Sequence, residues 1–237
     1  MTSPDFDAAW AATWPAAAYA REGGFLVGRG EGGGGRVSAA RAVGDWSEGD
    51  IAAVEARHRA WGQPPLFKVA DGDRALAQAL AARGYREADP TLILSAPAAV
   101  LAEPPIPPVT AMECWPPLAI QRDLWTLTGI GPARQAVIDR AASPQAAILG
   151  RTQDRAAGVG FVAVHAGFAL LHALAVLPDW RGRGLGGWIV RRAARFGLFH
   201  GAGQLAVAVA AANVPARAMH DRLGFAPVGA YAYWRRD

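Results

Sequence analysis

The residues with the clearest chemical potential form a glycine-rich loop, Arg181-Gly-Arg-Gly-Leu-Gly-Gly187. The loop follows an apolar run that Pro178 ends, and it precedes an amphipathic stretch that predicts a helix over 185–199. Glycines let the backbone approach a ligand closely, and the free N–H groups of a first helical turn point at whatever lies there. This pattern predicts an anion cradle. Because Arg181 and Arg183 add positive charge, a pyrophosphate fits it better than a carboxylate. The simpler alternative is a glycine turn with two solvated arginines.

The same glycines satisfy the dinucleotide-binding pattern Gly182-x-Gly184-x-x-Gly187. That pattern also requires an acidic residue about 20 positions on, at the end of the next strand, to bind a ribose hydroxyl. The stretch 205–212 contains no acid. A dinucleotide site is therefore not expected.

Several blocks of residues resemble the GCN5-related N-acetyltransferase (GNAT) family. Arg181-x-x-Gly184-x-Gly186 resembles its acetyl-CoA pyrophosphate loop, and Leu174-Ala-Val-Leu-Pro178 resembles the strand end before that loop. Asn213-x-x-Ala216, followed by Leu223-Gly-Phe225, resembles the family's next block. The resemblance covers about Met112 to Asp237. It implies the acyl-CoA N-acyltransferase fold, an α+β (mixed α/β) three-layer αβα arrangement in which helices flank a splayed mixed sheet.

The resemblance also implies how the donor binds. The sheet would splay between the strand that ends at Val176 and the strand that begins at Leu205, with the pantetheine of acetyl-CoA in the gap. An amine would attack the thioester directly, and a backbone N–H near Val176 would stabilise the oxyanion. The residues implied to bind acetyl-CoA are Leu174, Ala175, Val176, Arg181, Gly182, Arg183, Gly184, Leu185, Gly186, Gly187, Asn213 and Ala216.

Two histidines are candidates for proton transfer. His220 stands where many family members carry a tyrosine that protonates the departing thiolate, and a histidine could donate there because its ordinary pKa lies near neutrality. The alternative is an exposed helix histidine. His172 lies two residues before Leu174, so strand alternation places it on the face of Leu170, Leu174 and Val176. Some arylalkylamine-acetylating members look similar here, with a histidine that takes the amine proton. The alternative is a hydrogen-bonded core histidine.

The elements that must position these residues fall into two halves. Five of the twelve residues from Pro97 to Pro108 are prolines, which cannot continue a helix or a central strand. We therefore place a boundary there, between a degenerate GNAT-like domain over 1–103 and a catalytic domain over 104–237.

A faint internal repeat links these halves, as in tandem members of the family. It relates Leu66-Phe-Lys-Val-Ala70, Asp73 and Gly84-Tyr85 to Ala206-Val-Ala-Val-Ala210, Asn213 and Gly224-Phe225 at a constant offset of 140 residues. Two ordinary βαβ units could produce the same match by chance. The first copy has Val43-Gly-Asp-Trp-Ser47 where the second has its glycine loop, so we expect a phosphate cradle in the second copy alone.

Hydrophobic patterns predict a helix over 7–19 and a strand over 36–43 in the first half. In the second half they predict a β-hairpin that turns at His165-Ala-Gly167. This hairpin accounts for the uncharged stretch 156–178, whose 23 residues would be long enough for a membrane span. On the helix after the glycine loop, the predicted solvated face carries Arg191, Arg192 and Arg195.

Charge and composition limit the other classes of function that the chain could have. Residues 1–150 carry 13 basic and 16 acidic side chains, whereas residues 151–237 carry 11 and 4. The excess positive charge surrounds one loop and helix and is not interleaved with aromatics, so nucleic acid is not expected as a partner. One cysteine and five scattered histidines give no metal-ligand spacing, and no metal is predicted. The first residues resemble no secretory signal, so we expect a cytoplasmic protein without a membrane partner.

Together these features predict an N-acetyltransferase that transfers acetyl from acetyl-CoA to a primary amine of a small molecule or a protein N-terminus. It would act as a monomer or a homodimer. The alternative is a non-catalytic acyl-CoA-binding or sensing protein of the same fold, because the usual tyrosine is missing and the first half is degenerate. No recognisable motif identifies the acceptor.

Overall fold

One continuous mixed sheet organises the computed structural model, which describes residues 4–236. Its strands are β1 (Ala18–Glu22), β2 (Phe25–Arg29), β3 (Ala40–Ala42), β4 (Leu66–Ala70), β5 (Arg86–Pro97), β6 (Ala111–Cys114), β7 (Gln145–Thr152), β8 (Arg155–His165), β9 (Phe168–Val176), β10 (Gln204–Ala210) and β11 (Ala226–Arg235). The helices are α1 (Pro4–Thr13), α2 (Gly35–Ser38), α3 (Glu48–Ala60), α4 (Arg74–Ala82), α5 (Ala98–Ala102), α6 (Ala119–Leu127), α7 (Pro132–Arg140), α8 (Leu185–Phe199) and α9 (Val214–Arg222). The spatial strand order is β1-β2-β3-β4-β11-β5-β10-β9-β8-β7-β6.

Each half of the chain places its last strand in the sheet of the other half. β11, from the second half, lies between β4 and β5 and is antiparallel to both. β5, from the first half, lies between β11 and β10 and is antiparallel to both. The two halves therefore share a single sheet whose centre is built from exchanged strands.

The internal repeat corresponds to equivalent elements. α4 and α9 begin and end 140 residues apart, and β5 and β11 begin at the same offset. Both helices start with the same side-chain cap: the Oδ1 atom of Asp73 accepts from the backbone N–H of Leu76 at 3.1 Å, and that of Asn213 accepts from Ala216 at 3.2 Å. The caps, the helices and the strand starts of the two halves therefore share one constant offset.

Helices cover both faces of the sheet, as the layered prediction requires. α3, α4, α5, α8 and α9 pack on one face, where Leu185 and Ile189 of α8 are fully buried. α1, α6 and α7 pack on the other face, around Trp125 and Phe161. Burial of each such large apolar side chain contributes about 1.5–3 kcal/mol to the free energy of unfolding. The first helix, α1, crosses over to pack on β8 and β9 of the second half.

Two predicted elements of the first half are wrong. The helix predicted over 7–19 ends at Thr13, and β1 follows it. Pro15 explains the break, because a residue that precedes proline is disfavoured in helical conformation. The strand predicted over 36–43 is divided into the short helix α2 and the three-residue strand β3.

The proline-rich segment after β5 is held firmly by α8. Arg191 donates to the carbonyl of Leu101 at 3.0 Å, and Arg192 donates to that of Ala111 at 2.9 Å. Arg195 donates to the carbonyls of Ala102 and Pro104 at 3.1 and 3.0 Å. The prediction of a purely solvated face is therefore wrong, because these half-buried arginines donate to carbonyls at the end of α5, in the proline-rich segment and at the start of β6.

The uncharged stretch 156–178 forms the hairpin β8–β9, as predicted, and the turn residues Ala166 and Gly167 have positive φ angles of 48° and 78°. Over residues 4–236, the structure contains no helix that is both long and apolar enough to cross a membrane. Within the same range, no group of three or more His, Cys, Asp or Glu residues is arranged to hold a metal ion.

Candidate active site

The sheet opens between β9 and β10. These parallel strands pair at three positions, Phe168 to Leu170 against Gln204 to Ala206. Beyond them the residues from Leu171 to Val176 have no partner on β10, although β10 continues to Ala210. The gap lies where the resemblance to the GNAT family implies that pantetheine would bind.

A β-bulge at Ala173 shapes this gap. The register between β8 and β9 shifts there, and Ala173 has a φ angle of +50°, which is uncommon for a residue other than glycine. The indole N–H of Trp125 donates to the carbonyl of Ala173 at 2.9 Å and holds the bulge in place. An extra residue reverses which face the following side chains occupy.

The bulge overturns the predicted grouping of β9 side chains. His172 contacts the rings of Trp14 and Phe161 on the α1 and α6 face. Leu174 and Val176 instead pack on the opposite face, towards α8. Strict alternation placed His172 with Leu174 and Val176, and this prediction is wrong because the sequence pattern gave no sign of the bulge.

The glycine loop begins directly beyond the gap. A single 3-10 turn, Pro178–Trp180, follows β9, and Arg181 reaches back so that its Nε donates to the carbonyl of Val176 at 3.0 Å. Gly182 and Gly184 have φ angles of 74° and 81°. A Cβ at either position would meet nothing within 4 Å, so the backbone conformation, and not crowding, requires glycine here.

No side-chain cap and no acidic residue of the first turn of α8 competes with a ligand for the free N–H groups there. Gly184 is the N-cap and supplies no capping side chain, and the first turn contains no acidic residue. Arg183 lies beside it, stacked on Trp180 with 4.7 Å from guanidinium carbon to ring centroid, and it donates to the Oε1 of Gln153 at 3.3 Å. A helix N-terminus flanked by two arginines attracts a polyanion through the partial positive charge of the helix end and the full charges of the side chains.

The corresponding helix of the first half, α3, is already capped. Ser47 and Asp50 form a reciprocal capping box, and Glu48 adds a second acid to the first turn. The carboxylate of Asp50 accepts from the backbone N–H groups of Ser47 at 2.9 Å and Gly24 at 3.4 Å, and the Ser47 hydrogen bond lowers its pKa. These groups occupy the positive helix end, which is why the first half offers no comparable cradle.

Other predicted donor-binding residues hold α8 and α9 together. The side chain of Asn213 caps α9, and that of Leu185 is buried in the core. A Cβ at Gly186 would come within 2.9 Å of the Sδ of Met219, so glycine allows α8 and α9 to approach closely. Asn213, Leu185 and Gly186 therefore have structural roles here, and contact with the donor stays a prediction for them.

His220 is buried on α9, so the alternative of an exposed histidine is wrong. Its Nδ1 lies 2.8 Å from the carbonyl of Ala216 and must donate to it, which leaves Nε2 as an acceptor. Nε2 is buried without a hydrogen-bond partner among residues 4–236. Burial lowers the pKa of His220 below its ordinary value. The ring packs edge-on against Phe225 with 4.9 Å between centroids.

His172 has both ring nitrogens engaged. An Nη1 of Arg36 lies 3.0 Å from Nδ1, and the Oγ1 of Thr13 lies 3.0 Å from Nε2. Arginine can only donate, so Nδ1 accepts and Nε2–H donates to Thr13, whose hydroxyl in turn donates to the carbonyl of Ala9 at 2.8 Å. Burial, and secondarily the charge of Arg36, hold the pKa of His172 well below its ordinary range. This geometry favours the alternative of a hydrogen-bonded core histidine over that of a base.

Sequence patterns missed the partners of His172. Thr13 and Arg36 lie 159 and 136 positions away in the chain, and α1 and α2 bring them to β9 from the first half. A residue pattern within β9 carries no information on such contacts.

Comparison with known proteins agrees with this geometry. A profile described as "Acetyltransferase (GNAT) family" matches residues 112–225. No curated protein sequence matches the chain. Among solved structures, a GCN5-related N-acetyltransferase from Kribbella flavida is similar in fold, with a TM-score of 0.70 and 15% identity over 93% of this chain and 90% of that one.

Two further structures match along most of their length. A conserved protein of unknown function from Staphylococcus epidermidis has a TM-score of 0.68 and 11% identity, with 92% of each chain covered. A tandem GNAT protein from the clavulanic acid biosynthesis pathway has a TM-score of 0.62 and 18% identity over 95% of this chain and 85% of that one. At such identities these structures show the shared fold. Residues 112–225 therefore match the GNAT family of acetyltransferases, and the chain as a whole shares the fold of these GNAT structures.

Proposed function

We propose that the protein transfers an acetyl group from acetyl-CoA to a primary amine by direct attack. The observation that carries this proposal is the open N-terminus of α8, with Gly184 at its cap and Arg181 and Arg183 beside it, at the mouth of the gap between β9 and β10. Pyrophosphate would bind this helix end and pantetheine would extend along Leu174 to Val176. The GNAT family match over residues 112–225 supports acyl transfer in general. That the acyl group is acetyl and that the acceptor is a primary amine are parts of our proposal.

The reaction requires one proton to move from nitrogen to sulfur. As the amine nitrogen bonds to the thioester carbon, the carbonyl becomes an oxyanion, which we assign to a backbone N–H near Val176. Collapse breaks the carbon–sulfur bond and releases the CoA thiolate. We assign the proton relay to His220: Nε2 takes the proton from the nitrogen and returns it to the thiolate. The carbonyl of Ala216 favours this role because it fixes the proton of the neutral ring on Nδ1.

His172 receives a different role in this proposal. With its Nδ1 occupied by Arg36 and its Nε2–H donated to Thr13, it has no lone pair free to take a proton from the amine. We therefore assign it as a positioning residue that holds Arg36 beside the bulge of β9.

Donor binding tests the proposal directly. Acetyl-CoA at 100-fold excess over its Kd stabilises a folded protein by about 2.7 kcal/mol, which corresponds to a rise in Tm of about 5–10 °C for a chain of this size. We expect this rise for the native protein and its loss in Gly184→Glu, which places bulk and negative charge in the cradle.

Gly129→Glu is the matched control. Gly129 is also exposed, has a φ angle of +84° and has open space around its Cβ position, but it lies between α6 and α7. This variant should keep the rise in Tm. Absence of a rise with acetyl-CoA or longer acyl-CoA esters in the native protein would refute both the enzyme and the sensor. Release of free thiol over a panel of amines then separates the two, because a sensor would bind the donor without turnover.

A further inference from the structure

Four basic side chains meet where the two halves join, on the face that carries α1. We call this group, Arg36, Arg41, Lys68 and Arg134, the seam cluster. Lys68 of β4 is paired directly with Arg41 of β3 and with Tyr233 of β11. Arg134 reaches the same place from α7, and its guanidinium lies 3.6 Å from the position of a Cβ on Gly34, two residues before Arg36.

Aromatic rings lie close to two of these cations. The guanidinium carbon of Arg36 lies 5.5 Å from the ring centroid of Trp10 and 5.2 Å from that of Trp14. The Nζ of Lys68 lies 4.3 Å from the ring centroid of Tyr231 and 5.9 Å from that of Trp10. Rings hold these cations in place but do not neutralise them.

The seam cluster has less negative than positive charge around it. Among the described side chains, those of residues 6–236, no carboxylate lies within 4.0 Å of the basic groups of its four members. Burial lowers the pKa of Lys68 to about 8, Asp7 opposes this shift, and Arg41 and Arg36 add to it. Partly buried cations that repel one another are costly unless an anion joins them.

An unpaired donor lies at the same place. The indole nitrogen of Trp10, a residue that is 9% exposed, is buried without a hydrogen-bond partner among the described residues. This is the ring contacted by both Arg36 and Lys68. A ligand with acceptor oxygens would satisfy the indole N–H and the cations together.

The seam cluster is also connected to the gap between β9 and β10. Arg36 donates to His172, the residue that precedes the bulge at Ala173. A ligand held by Arg36 therefore lies beside the strand along which we place the thioester, on the face opposite α8.

We propose that the acceptor is an amine that also carries a carboxylate, and that the seam cluster binds this carboxylate with Arg36 and Lys68 as its main contacts. This inference rests on the proposed acetyl transfer. The guanidinium of Arg36, which two rings hold in place, is planar and can offer a pair of N–H groups to a carboxylate in a bidentate contact. Neutral amines of similar size would leave the cations unpaired and should bind more weakly.

The experiment compares amines that differ in the anion alone. β-Alanine, γ-aminobutyrate and para-(aminomethyl)benzoate are each titrated by calorimetry beside the corresponding carboxamide, with the native protein saturated with CoA. We expect the acid of at least one pair to bind about 10- to 100-fold more tightly than its carboxamide, the range given by one or two charged hydrogen bonds.

Three variants locate the effect. Arg36→Gln keeps a donor for His172 but removes the charge, and Lys68→Met keeps the length of the side chain. Both should bring the ratio of acid to amide affinity close to one. Arg57→Gln is the control, because Arg57 also stacks on a tryptophan, Trp61, at 5.6 Å, but lies on α3. If circular dichroism shows that Arg36→Gln is unfolded, the ratio of acid to amide affinity in Lys68→Met tests the inference.

Equal affinity for acids and amides, no binding by any compound, or an unchanged ratio in both cluster variants would overturn the inference. Thiol release by the same compounds keeps this failure separate from failure of the proposed function. Turnover of acids and amides alike would retain acetyl transfer and reject the carboxylate site. Selective binding of acids without any turnover would retain the site and reject acetyl transfer to these amines.

Discussion

At the scale of single residues, burial holds three histidines in their neutral form. His58, His172 and His220 are all buried, and burial lowers the pKa of each below its ordinary value, with Arg36 adding to the shift at His172. In the unfolded chain the same imidazoles take up protons near pH 6.5.

This difference predicts a loss of stability in mild acid. Below about pH 6.5 the unfolded chain binds more protons than the folded chain, so the free energy of unfolding falls as pH falls, by up to about 1.4 kcal/mol per pH unit for each histidine. Urea denaturation at several pH values between 7.5 and 5 measures the slope. His172→Gln should reduce the slope. An equal slope in the native protein and in His172→Gln would contradict this account.

The relay assigned to His220 predicts a specific kinetic defect. His220→Phe fills the buried space but has no lone pair, so kcat should fall about 100- to 10,000-fold while KM for acetyl-CoA stays nearly constant. In the native enzyme, kcat should decline as pH drops below the lowered pKa of His220, because protonated Nε2 cannot take a proton from the amine. Steady-state thiol release measures both, and an unchanged kcat in His220→Phe would remove His220 from the mechanism.

At the scale of elements, the two helices that follow the strand ends differ in their N-termini. The N-terminus of α3 is capped by Ser47 and Asp50, whereas α8 begins at a glycine that supplies no side-chain cap. We therefore predict one CoA per chain in isothermal titration calorimetry. Asp50→Asn should leave this stoichiometry unchanged, since the first half also lacks the arginines of the second. Two equivalent sites per chain would contradict the contrast between the helices.

Local patterns were sufficient for some elements. The bounds of α8 and the end of β9 at Val176 match the predictions, because a long amphipathic run and an apolar run are each ended by glycine or proline. β1 and the bulge at Ala173 were missed, because β1 is a short edge strand and the bulge depends on a hydrogen bond from Trp125, 48 residues away. The donor loop was therefore predictable, while the seam cluster, which needs both halves, was not.

At the scale of the whole molecule, the exchanged strands bind the halves together more tightly than a two-domain division implies. β11 completes the sheet of the first half, and β5 completes that of the second. We expect fragments 1–103 and 104–237 to be unfolded when expressed alone, since each would leave sheet edges unpaired.

Cleavage at the linker tests this expectation. A protease site inserted after Glu103, cut in the folded protein, should leave two fragments that elute together in gel filtration and melt in one transition. The separately expressed fragments should lack a cooperative transition in circular dichroism and regain it on mixing. A cooperative melt of 104–237 alone would show that this half is an independent domain.

The position of β11 also sets the order in which the molecule can be assembled in the cell. β4 and β5 are synthesised long before β11, which must enter between them. While the ribosome is still making the second half, the first half therefore cannot close its sheet, and two neighbouring edges remain open. Nascent chains of this protein should accordingly depend on chaperones until the final strand emerges.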